Sequence, residues 1–223
     1  MAVQLGEGTT DIIYGEASIP AGPLTYGGYI ARPDGLGEWP TVIVVGPDPE
    51  PTSTAKDLCR VLARHGIAAV APSLSDSTNH NHRINTAIAG FVSDPTGQWS
   101  NAQFGFGVLA LEAGIADASV FAAQDGRVLA WAAVGSAIDA VSADNLALGD
   151  AAGLFIGSRS DDAVDIDEAL GFRDILVRTT FVVYPDGDTG FWNDDSPGYN
   201  LDRYEDTRDR VIAFFGKQLP PRV

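Results

Sequence analysis

The sequence predicts an α/β fold, with a mostly parallel central sheet, helices on both faces and an N-terminal antiparallel hairpin. Three observations predict it. Short apolar runs recur along the chain, such as "PTVIVVG" (40–46) and "TTFVVYP" (179–185). These runs alternate with segments of helical spacing. Hydrophobic residues make up 45% of the 223 residues, enough for a sizeable core, so the chain 1–223 reads as one domain.

Residues 11–31 alternate and are broken by Gly and Pro, which predicts the hairpin. The run 40–46 predicts the first buried strand. A helix follows over 52–66, with Thr52 or Ser53 as its cap and Gly66 at its end. "IAAVAP" (67–72) predicts the next strand, 73–83 a polar loop and 84–92 a helix. "AQFGFG" then reads as a short strand with a helix from about Val108, whose Ala110, Ala113, Gly114 and Ala116 form a small packing face. Strands are predicted over 127–135, 153–158 and 179–185, and a helix over 165–174. The last helix, 200–219, carries an apolar stripe of Leu201, Tyr204, Val211, Ile212, Phe215 and Leu219.

The 30 Asp and Glu against 14 Lys and Arg give a formal net charge of −16, which repels nucleic acid and anionic membranes. A small-molecule ligand, a protein partner or a second copy of the chain remain as expected partners. Cys59 is the single cysteine, so no intrachain disulfide forms. That cysteine usage, with no secretory pattern in "MAVQLGEGTTD", predicts a cytoplasmic protein. No apolar run is long enough to span a bilayer.

Ligands of open α/β sheets bind outside the carboxyl ends of the strands, so the segments after each strand are the candidates. "GPDPEPT" (46–52) is either a substrate loop carrying Asp48 and Glu50 or a stiff turn before the next helix. In an extended loop, His80 and His82 point the same way and with Asp76 form a candidate metal set. No HExxH or CxxC pattern accompanies them, and a site needs three or four converging ligands, so no metal is expected. "FGFG" is a poor phosphate loop, because Ala110 stands where GxGxxG needs its third glycine and no lysine is near. No cofactor is expected.

Three segments, in this order, carry a resemblance: "GFGVLALEAG", "GSRSDDAVD" and "YPDGDTGFWND". With "GYIARPDG" and "LARHGIAAVAPSL", they make the chain similar to the dienelactone hydrolases, which implies the α/β-hydrolase fold over nearly its whole length. That family works through a cysteine in Gly-x-Cys-x-Gly-Gly, an aspartate after a later strand and a histidine in Tyr-Pro-Gly-x-x-His-Gly-Phe. Matched by position, Gly105-Phe106-Gly107 puts Gly107 at the cysteine and Leu109-Ala110 at the following glycines. Asp161 stands at the acid, with Asp162 beside it, and Thr189 at the histidine. An acidic position after the first central strand falls near Pro47-Asp48.

The resemblance therefore implies a triad that keeps its acid and lacks its nucleophile and base. Glycine offers no attacking atom, and threonine is no general base near neutral pH. The expectation is a non-catalytic binding protein or an accessory subunit. Its expected pocket lining is Pro47, Asp48, Phe106, Val108, Ser136, Phe191 and Trp192. The alternative is an active ester or lactone hydrolase with a relocated nucleophile, Ser136, served by His80 or His82. Trp39 and Trp99 lie in predicted loops, where exposure would favour an interface.

Overall fold

The structure is a computed structural model that describes residues 8–21, 24–35, 38–74, 78–94 and 104–219. Among these, eight strands form one sheet in the order β1-β2-β4-β3-β5-β6-β7-β8. The hairpin is β1 (Ile12–Ala21) and β2 (Leu24–Pro33), and β2 continues antiparallel onto β4 (Ala68–Pro72). The other pairs are parallel: β3 (Thr41–Val45), β5 (Phe106–Leu111), β6 (Val128–Val134), β7 (Ala152–Ser158) and β8 (Thr179–Tyr184) complete the sheet.

Helices α1 (Ser53–Arg64) and α6 (Leu201–Gln218) contribute to one core, and α2 (Thr78–Val92), α3 (Ile115–Gln124), α4 (Ala140–Ala147) and α5 (Ile166–Gly171) to the other. The period of two in β3 divides its residues between the two cores. Val42 and Val44 pack with Leu58, Leu62 and Phe215, while Ile43 and Val45 pack with Ile88, Phe121 and Ile138. Full burial of a side chain such as Phe215 contributes roughly 1.5–3 kcal/mol. Thr52 caps α1 by accepting from the Ala55 N–H at 3.2 Å, and the His65 N–H bonds back to Leu62 at the other end.

Several expectations need correction. The helix does not begin near Val108: the apolar run Phe106–Leu111 stays extended as the buried centre of the sheet, and Ala110 lies in that strand. Helix α2 begins at Thr78, so positions 80 and 82 are helical and the period-two argument for His80 and His82 does not apply. A helix not anticipated, α4, forms between β6 and β7, where Asp139 caps it by accepting from the Ser142 N–H at 2.7 Å. Leu201 is exposed at the start of α6, off the apolar stripe, and Trp39 is buried. Asp76 and Trp99 fall outside the described residues. No described helix is long and apolar enough to cross a membrane.

Candidate functional site

The carboxyl ends of β5, β6 and β7 and the segment after β8 surround a cleft of about 420 Å³. Glu112, Ala113, Asp139, Asp161, Thr189 and Gly190 are among its lining residues. Glu112 follows β5, Asp139 follows β6, Asp161 follows β7 and Thr189 follows β8.

Glu112 is the first residue after β5, and its backbone has φ +50°. It is the one non-glycine residue in the left-handed region among those described. Such a conformation costs on the order of 1–3 kcal/mol outside glycine and clusters at functional turns. A short 3-10 turn, Glu112–Gly114, then leads into α3. A Cβ on Gly114 would collide with the Val45 carbonyl oxygen, so glycine lets the helix start close against the end of β3. A strained residue between a buried strand and a helix, with glycine two residues on, has the geometry of a nucleophile elbow. Burial raises the pKa of Glu112, and the negative charges of Asp48 and Asp161 raise it further.

Gly107 lies elsewhere. It is inside β5, paired between Val42 and Ala130, and a Cβ there would sit 2.6 Å from the Phe215 ring. Its missing side chain makes room for α6 on the sheet. The expected match of Gly107 to the turn is therefore five residues early, and the residue at the turn is Glu112. The signal was present in the sequence: Phe106–Leu111 is an unbroken apolar run, and Glu112 is the polar residue that ends it.

Asp161 and Thr189 do come together. Asp161 is buried in the turn after β7, where its Oδ1 accepts from the Ala163 N–H at 3.0 Å. The same oxygen accepts from Thr189 Oγ1 at 2.7 Å. Asp162 is exposed and lines no part of the cleft. Thr189 opens a loop pinned at several points. Thr54 Oγ1 lies 2.7 Å from both Asn193 Oδ1 and Asp194 Oδ1, and Ser53 bonds Asp195. Phe191 and Trp192 anchor the loop from beneath, with Phe191 edge-on to Tyr184 at 5.6 Å between centroids.

The remaining expected lining residues divide. Phe106 and Val108 are core residues within β5, and Phe191 and Trp192 belong to the core on the other face. The Trp192 indole packs against Gly135, whose φ of +57° and absent side chain make room for it on the cleft wall. Ser136 is fully buried, and its hydroxyl donates to the Val134 carbonyl at 3.2 Å. It does not line the cleft, although Gly135 and Ala137 do. Pro47 and Asp48 are exposed on the loop after β3. Cys59 is buried in mid-helix, where burial pushes its thiol up to about 12. Among the described residues, no cluster of three or more His, Cys, Asp or Glu is arranged to hold a metal ion.

Known structures share this architecture closely. A protein from Klebsiella pneumoniae described as a dienelactone hydrolase matches with a TM-score of 0.77 at 22% identity, over 93% of this chain and 99% of its own. The fold is the α/β-hydrolase fold. A dienelactone hydrolase-like promiscuous phosphotriesterase from metagenomic libraries matches with a TM-score of 0.72 at 14% identity, over 94% of this chain and 99% of its own. An esterase from Pyrobaculum calidifontis matches with a TM-score of 0.72 at 16% identity, over 95% and 86%. No protein-family model and no curated protein matches the sequence. In this α/β-hydrolase fold the elbow of the present chain carries a carboxyl group, and a threonine hydroxyl meets the buried aspartate.

Proposed function

We propose that this chain is a small-molecule binding protein on the α/β-hydrolase fold that does not perform acyl transfer. One observation carries the reading: the cleft positions after β5, β7 and β8 hold Glu112, Asp161 and Thr189, a set without thiol or imidazole. Acyl transfer needs a nucleophile, a base that takes its proton and a group that orients the base. Here the orienting carboxylate is engaged by a hydroxyl that takes no proton near neutral pH. The loop after β3 adds support, since prolines at 47, 49 and 51 remove backbone N–H groups of the kind that bind an oxyanion.

The cleft instead offers hydrogen-bond acceptors to a ligand bearing donors or positive charge. The relocated alternative would require Ser136 to leave its buried bond to Val134 and reach a cleft it does not line. The test is turnover of an activated aryl ester beside a thermal-shift screen of small amines and polyols. The expected result is an ester rate at the buffer level, with a stabilising ligand whose shift is lost in Glu112→Gln. An ester rate well above buffer that disappears in Glu112→Gln or Ser136→Ala would overturn the reading.

A further inference from the structure

The two edges of the sheet are treated differently by the sequence. Edge strands present unpaired backbone groups that template pairing with another chain, and proteins blunt them with charge, glycine, proline or bulges. Strand β1 is weakened as a template in three ways: Gly15 lacks a side chain to pack, Pro20 has no N–H to offer, and Glu16 places a charge on the edge, paired with Lys56 at 2.7 Å. Strand β8 has none of these devices. It reads Thr-Thr-Phe-Val-Val-Tyr, all residues of high strand propensity, and pairs with β7 alone among the described strands. Exposed apolar side chains, Ile175 and Val177, lie just before it.

We infer that β8 pairs antiparallel with the β8 of a second copy, joining two eight-stranded sheets across a two-fold axis. The charges flanking the strand select this partner and this direction. A two-fold axis perpendicular to an antiparallel pair passes between a residue and its own copy, because directly opposed pairs alternate in hydrogen bonding. With the axis at Val182, Thr180 faces the partner's Tyr184, and the turn that holds Arg178 lies beside the bend that holds the partner's Asp186, each twice. Both Arg178 and Asp186 are largely exposed; Asp186 already accepts from Arg203, and Arg178 touches Asp150 only at 3.9 Å. Parallel pairing would set arginine against arginine and aspartate against aspartate.

This inference is independent of the cleft and goes beyond it. The test is sedimentation velocity over a concentration series at physiological salt, where net repulsion between copies is screened within about 8 Å. The expected species has twice the 23.4 kDa of the chain, with β8 amides protected from hydrogen exchange in the dimer and exposed on dilution. Arg178→Glu places like charges beside each other twice, so it should weaken the dimer about tenfold. Arg178→Glu with Asp186→Lys should restore it, and thermal melts of both variants separate a lost interface from a lost fold. A 23.4 kDa species at every concentration overturns the inference, as does a dimer that Arg178→Glu leaves unchanged or the charge swap fails to restore.

Discussion

Strand β5 and the turn that ends it hold two positions, Gly107 and Glu112, that face different surroundings. Gly107 sits within the strand, with neighbours on both sides and an α6 ring where a side chain would go. Glu112 sits where the strand stops, with φ +50° and its carboxyl half-buried at the cleft. Both lie in a Gly-containing segment before a helix. The strand's end, rather than glycine content, decides which one meets a ligand.

The largest effect that would break this comparison is a rebuilt triad. Glu112→Cys with Thr189→His should place a thiol at the turn and an imidazole beside Asp161. Ester turnover should then rise by about 10²-fold or more over the parent, the scale of a positioned base. Gly107→Cys with Thr189→His should gain nothing. Equal gains, measured by aryl-ester release, would return the site to Gly107.

Stability separates the two positions next. Gly107→Ala should destabilise by about 1–3 kcal/mol, because the new Cβ overpacks against Phe215. Glu112→Gly should stabilise by about 1 kcal/mol, since glycine adopts the left-handed turn without the steric cost. Urea melts of the two variants check both signs.

The smallest effect lies in pH. The folded-state pKa of Glu112 is raised, chiefly by burial, so the folded protein holds that proton to higher pH than the unfolded chain. Stability from this group is full at low pH and falls as pH rises through the window between its unfolded and folded values. Glu112→Gln removes that fall. Its melting temperature should approach the parent's at acidic pH and exceed it above the window; a constant difference would mean that Glu112 does not titrate against its surroundings.

Much of this molecule was legible in the sequence because its signals are local. Runs such as Thr41–Val45 and Ala152–Ser158 are apolar, short and bounded by turn residues, and the caps at Thr52 and Gly66 are read from residue type. Asp161 and Thr189 were legible through the motifs around them, and they meet at 2.7 Å. Glu112 was missed because "FGFG" has the look of a turn, while the parallel pairing with β3 and β6 keeps it extended. The apolar run through Leu111 carries the strand signal, and the glycines at 105 and 107 mask it. Ser136 is similar: its place after a strand is visible in the sequence, while its burial depends on how β6 runs into the turn before α4.

The bonds from Thr54 to Asn193 and Asp194 span 139 and 140 positions of the chain. Between them lie most of the parallel strands and every helix from α2 to α5. Joining such distant points costs loop entropy, which is offset only once intervening structure has formed. The wall of the cleft that carries Thr189 is therefore expected to form late in folding, after the sheet that supports it. A ligand that bridges this wall to the elbow would oppose the first stage of unfolding and so lengthen the life of the native state.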